Sequence, residues 1–340
     1  MCAERHDGTA GDPKARGTDT PRTRQRRYLD EIGLLVRVAE MYYEQNKTQN
    51  EIASTLNISR PQVSRLLSQA RDEGIVQIRV VNPFSRAEEL EQALTARFGL
   101  EDAVVVPTAH HSSDAIARKL GKEAASYLER HLQLGQSLGI GRGATVYHTV
   151  HNLQEHQHLE LNVVPLAGGL GEADAYFQVN EMVRLVAERL GSVAHYLYAP
   201  GVVDNAAVLN AFLMEKGSAS TLSFWDHLDW CLVGIGAIRL YHTPGFLETL
   251  CGMYGRDAVE QEAVGDVNLL LLSRQGNVIP LRPPNAILAI SPEQLRRTPH
   301  VVAVAGGTGK AAAIRSALLS GLIKILITDE PTAALILEKQ

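Results

Sequence analysis

The stretch from Thr48 to Gly74, TQNEIASTLNISRPQVSRLLSQARDEG, is the strongest constraint in this chain, because it leaves room for two short helices and a tight turn and little else. Thr48 is suited to cap a first helix over Gln49 to Thr55, with Glu51 at the spacing of a capping box. Ile52, Ala53 and Leu56 form its inward face. Leu56-Asn57-Ile58-Ser59 makes the turn: Asn57 tolerates a left-handed backbone, and Ser59 caps the next helix, whose first turn accepts Pro61. Val63, Leu66, Leu67 and Ala70 then recur at helical spacing and leave Arg60, Gln62, Ser64, Arg65 and Ser68 on the opposite side.

That polar side has the chemistry of a recognition helix in a DNA major groove, where Arg pairs with guanine and Gln with adenine. Arg60, Gln62 and Arg65 are the expected base readers; Gln49, Ser59 and Ser64 are better suited to phosphate. The formal net charge of −5 argues against a protein that coats nucleic acid, and residues 27–82 balance their cations with as many acids. Binding to double-stranded operator DNA must then be local, with a homo-oligomer doubling the footprint. A support helix begins at Tyr28, with Tyr43 and Lys47 near its end within reach of phosphate, and Ile75 to Val81 alternates as a strand resembling a small wing. The three divisions expected are a disordered tail over 1–26, a winged helix-turn-helix unit over 27–82 and a second unit over 83–340.

In the second unit apolar strands alternate with amphipathic helices. The expected strands include Ser137 to Ile140, Leu161 to Leu166, Trp230 to Ile235, Val301 to Ala305 and Ile323 to Thr328, and the helices Ser113 to His131 and Val179 to Leu190. The expected fold is α/β, a doubly wound, mainly parallel sheet with helices on both faces. Ligands of such sheets bind beyond the carboxyl ends of the strands. Gly139-Ile140-Gly141-Arg142-Gly143-Ala144-Thr145 is one such loop, and its glycines let backbone N–H groups approach an anion. The following strand ends in Ala167-Gly168-Gly169, a turn counted with the same site, with no acid to hold a ribose, so NAD is not expected. Gly306-Gly307-Thr308-Gly309-Lys310 resembles a nucleotide loop but lacks its first Gly and the hydroxyl residue after Lys310, which excludes ATP and keeps a phosphoryl site. Asp229 and Asp266, beside apolar strands, are candidate acceptors for sugar hydroxyls.

Neither cofactor nor metal is expected: the histidines show no ligand spacing, and the three cysteines are too scattered for a disulfide scaffold. No segment is apolar enough to span a membrane and no signal peptide is visible, so a cytosolic location is expected.

The order of parts resembles the SorC-type (SorC/DeoR) family of bacterial sugar-responsive transcriptional regulators. The stretches that carry it are the hairpin, VVPLAGGLG at 163–171, NEMVRLVAERLG at 180–191, CLVGIGAI at 231–238, AVGD at 263–266 and VVAVAGGTGKAAAIRSALLSGLIKILITDEPTA at 301–333. The resemblance implies a C-terminal domain similar to the sugar-phosphate isomerase and glucosamine-phosphate deaminase fold, used for binding a phosphorylated sugar or polyol, in a dimer or tetramer. It also implies a phosphate site at Gly143, Thr145 and Lys310, and hydroxyl-binding acids at Asp229 and Asp266. Two stretches depart from the family pattern: Ala144, where relatives commonly carry a polar or basic residue, and Asn268-Leu269-Leu270-Leu271-Leu272, in place of a Gly-then-aromatic run. Two other readings are a sugar-phosphate isomerase or deaminase fused to a DNA-binding module, and a C-terminal domain that serves assembly alone.

Overall fold

The alternation of buried side chains along the strands dictates a sheet covered on both faces. Along the strand His300–Val304, Val301 and Ala303 belong to one hydrophobic cluster while Val302 and Val304 belong to another; Cys231 and Val233 oppose Trp230 and Leu232 in the same way. A strand buried on both sides is the signature of a parallel sheet between helical layers. The computed structural model describes residues 32–76, 83–108, 112–154, 158–170, 178–203, 205–241, 244–282 and 286–338. The tail over 1–26 and most of the expected wing lie outside the described residues. The chain divides into two compact units at the boundary between Val81 and Asn82.

In the first unit, helix α1 (32–39) continues into a π-helical turn, Glu40–Glu44, and is followed by α2 (Gln49–Leu56) and α3 (Arg60–Asp72). Val38, Met41, Ile52, Val63 and Leu67 make one core cluster; Ile52, Val63 and Leu67 are inward by the helical spacing of the hairpin, while Val38 and Met41 come from the support helix and lie outside that expectation. Asn57 takes the left-handed conformation at φ 54°, as the turn requires.

The second unit begins with α4 (Pro83–Phe98), β1 (Asp102–Val106), α5 (Ser113–His131), β2 (Ser137–Ile140), α6 (Ala144–Asn152), β3 (Asn162–Pro165), α7 (Val179–Arg189) and β4 (Val193–Ala194). It continues through β5 (Val202–Val203), α8 (Ala206–Met214), α9 (Lys216–Leu222), β6 (Trp230–Ala237), α10 (Pro244–Tyr254), β7 (Ala263–Val267) and β8 (Leu270–Ser273). It closes with β9 (Ala286–Ile287), α11 (Pro292–Arg297), β10 (His300–Val304), α12 (Ala311–Leu319), β11 (Ile325–Asp329) and α13 (Glu330–Leu337). The main sheet runs β1-β11-β10-β6-β2-β3-β4, every pair parallel. The far end of β6 adds an antiparallel hairpin, β7 and β8, while β5 and β9 pair separately. The parallel run puts the carboxyl ends of β2, β6 and β10 side by side, and that edge is where the glycine loops emerge.

Candidate functional site

The helical hairpin is built as its sequence dictates. Thr48 caps α2 through a reciprocal box: its N–H and hydroxyl both donate to Glu51 Oε2, at 2.8 and 2.9 Å, which pulls the Glu51 carboxyl below its usual range. Arg60, Gln62, Ser64 and Arg65 are exposed on α3, opposite the buried Val63, Leu67 and Ala70. Two expected contacts change role. Ser59 donates through its N–H (2.8 Å) and hydroxyl (2.9 Å) to Gln62 Oε1, so both residues serve the cap of α3, and Gln62 keeps only its amide N–H groups for a base edge. Gln49, half-buried in the first turn of α2, and Ser64 remain on the outside of the hairpin.

In the second unit four polar side chains converge at the carboxyl edge of the sheet. Lys310, the last residue of a 3-10 turn over Thr308–Lys310, reaches across β10 to donate to the Ile235 carbonyl of β6 at 3.1 Å. Asp266 lies opposite Gly236 in the antiparallel pairing and is 5% exposed. Its Oδ1 accepts a hydrogen bond from the Tyr241 hydroxyl and its Oδ2 accepts from the Leu269 N–H at 3.2 Å. Gly236 is required there, because a Cβ would overlap both the Tyr241 hydroxyl and Asp266 Oδ1. The Arg142 guanidinium lies over the Phe246 ring, 4.5 Å from its centroid, and its Nη1 is buried without a hydrogen-bond partner among the described residues.

The electrostatics follow from burial. Desolvation pulls the Lys310 amine below its ordinary 10.5, and the Asp266 charge opposes that shift. Burial pushes the Tyr241 phenol well above its ordinary value; the charge of Asp266 and its hydrogen bond add to the shift, while Arg142 opposes it. Tyr241 is therefore a fixed hydrogen-bond donor to Asp266.

Two loops frame this cluster. Gly143, at φ 128°, precedes α6 in a conformation that residues with a Cβ rarely adopt. The Gly306-Gly307 turn is held by Asp329, whose Oδ2 accepts the Gly307 N–H at 2.6 Å, and which also caps α13 through Thr332.

Four residues expected in the effector site already make hydrogen bonds within the protein, and one of them, Asp229, lies at the other end of the sheet. Asp229 precedes β6, at the opposite, amino end of the parallel sheet, where its Oδ2 accepts from the Ser137 N–H and hydroxyl, each at 2.8 Å. Thr145 is buried and gives its hydroxyl to the Val304 carbonyl at 2.5 Å, tying α6 to β10. The Gly168 N–H is bonded to Leu288 and the Gly169 N–H to Ala199, while the Gly169 carbonyl accepts from Gly201. Gly168 lets these backbones approach: a Cβ would stand 2.6 Å from the Ala199 carbonyl oxygen. Of the expected set, Asp266 and Lys310 meet around Ile235 and Gly236, and Gly143 and Thr145 pack beside the neighbouring Gly234. Arg142 was visible only as a member of its loop, and Tyr241 carried no sequence signal beyond following the Gly234-x-Gly236 strand.

Both halves of this architecture have known counterparts. Residues 82–338 match the domain family described as "Putative sugar-binding domain", and residues 37–73, which span α2 and α3, match Sigma-70, region 4. The sorbitol operon regulator of Klebsiella pneumoniae is 30% identical over 311 residues, covering 91% of this chain and 99% of that protein. The deoxyribonucleoside regulator of Bacillus subtilis is 30% identical over 304 residues, covering 88% and 96%. The crystal structure of the full-length K. pneumoniae sorbitol operon regulator SorC superposes with a TM-score of 0.70 over 91% of this chain and all of that one. A helical DNA-binding hairpin followed by a sugar-binding α/β domain defines a sugar-responsive transcription regulator. The chain belongs to the SorC family of these regulators.

Proposed function

We propose that the unit over 27–82 reads an operator and the unit over 83–340 controls it by binding a phosphorylated sugar or polyol. The observation that carries this reading is the half-buried Lys310 ammonium at the carboxyl edge of the sheet. It spends one of its three N–H donors on Ile235 and sits near the Asp266 charge and the Arg142 loop. Two cations at the mouths of glycine loops suit a phosphoryl group; Asp266 suits the hydroxyls. Arg65 and the free edge of Gln62 are the base readers, and a homo-oligomer, dimer or tetramer, presents paired hairpins to a two-fold symmetric operator in the cytosol. Among the described residues no helix is long and apolar enough to cross a membrane.

A sensor fits the cluster better than an isomerase or deaminase does. Both oxygens of Asp266 already accept hydrogen bonds from the protein, from Tyr241 and Leu269, which leaves a poor general base. The relatives are named as regulators.

The test is a thermal-shift screen of the full chain against phosphorylated and unphosphorylated sugars and polyols, since a ligand of the folded state raises apparent stability by mass action. Stabilisation by a phosphorylated compound, lost in Lys310→Met, supports the reading. A response confined to unphosphorylated compounds, or one retained in Lys310→Met, contradicts it.

A further inference from the structure

Beside the recognition helix the first unit carries a cleft of about 600 Å3, whose walls include Tyr42, Tyr43, Lys47, Gln49, Asn50 and Arg60. Its lining is one-sided. Every lining side chain carries a hydrogen-bond donor, two are cations and, among the described residues, none is a carboxylate. Two acids adjoin the lining in sequence: Glu51 has its carboxylate turned to the Thr48 cap, and Glu44, which follows Tyr43, is exposed and not part of the lining. Asn46, at φ 52°, turns the chain after the π-helical segment, so that Lys47 and the first residues of α2 face one space with Arg60. Arg60 makes no hydrogen bond or ion pair with any described residue. Two cations and a set of neutral donors with no counter-charge make a receptor for an anion. On a hairpin that docks on duplex DNA, the anion at hand is a backbone phosphate.

We infer that this cleft seats one phosphodiester of the DNA backbone between Lys47 and Arg60, so that Arg60 positions the hairpin and does not read a base. The inference rests on the DNA-reading function of the hairpin and revises one of its expected readers. Lys47 and Arg60 supply the charge, and the Tyr42 and Tyr43 hydroxyls with the Gln49 and Asn50 amides supply donors to phosphate oxygens. Base discrimination then falls to residues farther along α3, Arg65 first.

The experiment measures binding of the full chain, by fluorescence anisotropy across a salt series, to two duplexes: one of mixed sequence, and one selected by the protein from a random pool. Each phosphate contact contributes about 0.9 to the slope of log K against log salt. Lys47→Gln and Arg60→Gln should each reduce that slope on both duplexes, by about that amount when combined, and leave the affinity ratio between them unchanged. Arg60→Lys, which keeps the charge, should keep the slope and guards against misfolding as the cause. Arg65→Gln should lower the ratio. An unchanged slope in Lys47→Gln and Arg60→Gln, or an altered ratio in Arg60→Gln, overturns the inference while leaving DNA reading intact. Inorganic phosphate should compete no better than chloride at matched ionic strength; stronger competition, lost in Arg60→Gln, would mark a free-anion site and also overturn it. Failure of the wild-type chain to bind either duplex would remove the DNA-reading function itself.

Discussion

Leu269 shows how far a single position can depart from its backbone's preference. It stands in the two-residue turn between β7 and β8 at φ 74°, after Asn268 at φ 48°, a geometry that favours glycine, yet its side chain is fully buried. Its N–H holds Asp266 and its carbonyl accepts from Tyr254 at 2.7 Å, so the strained turn fixes the acid of the candidate site. Leu269→Ala should lose about 3 kcal/mol, because burial goes and the strain stays. Leu269→Gly should lose about 1 kcal/mol less, since glycine releases the left-handed strain. Tryptophan fluorescence during denaturant unfolding can check this, because both tryptophans, Trp225 and Trp230, lie in the second unit; Ala more stable than Gly would contradict it. Asp229 gives the opposite case. Asp229→Ala should cost roughly 1–3 kcal/mol through the unpaired Ser137 donors and leave effector affinity unchanged, as titration calorimetry would show. From sequence, Asp229 and Asp266 looked alike, each an acid beside an apolar strand. What separates them is which end of the strand they occupy relative to the sheet, and apolar patterning carries no such polarity.

Lys310 adds a dependence on pH. Its amine is held below 10.5 when folded, so the unfolded chain binds more protons between the folded value and 10.5, and this group makes stability rise with pH across that window. An anionic effector favours the ammonium and raises its pKa. Effector binding should therefore take up protons in the alkaline range, and affinity should fall before pH 10.5 is reached. Calorimetry in buffers of different ionisation enthalpy measures the uptake; binding with proton release would contradict the assignment of Lys310 to the anion.

At the scale of elements, what was legible is what is local. The α2 capping box, the left-handed Asn57 and the Pro61 start of α3 were readable because each depends on residues within four positions. Thr48→Ala should cost about 1 kcal/mol and speed hydrogen exchange at the α2 amides, with no change in tryptophan-reported unfolding. Faster exchange spread across the second unit would contradict a local role. Helix α5 was readable along its whole length because its amphipathic stripe is long, and β10 and β11 were readable as near-continuous apolar runs. Helix α8, AAVLNAFLM, was not: it is apolar all round and buries no residue fully, so no face stands out. The paired β5 and β9, two residues each, depend on contacts far apart in sequence that no periodicity records.

At the scale of the whole molecule, two units with different tasks need a coupling free energy, and none of its terms is visible in either unit alone. An effector changes operator affinity only by as much as it prefers one arrangement of the regulator over another, and operator DNA must change effector affinity by the same factor. The measurement that tests this most directly is operator affinity of the full chain with and without a saturating phosphorylated sugar, in wild type and in Lys310→Met. The expected result is a change of roughly 5- to 150-fold in wild type, the usual range of such coupling, and none in the variant, whose affinity without effector stays that of wild type. An equal response in both proteins, or none in wild type with a sugar shown to bind it, would contradict a sensor built around Lys310.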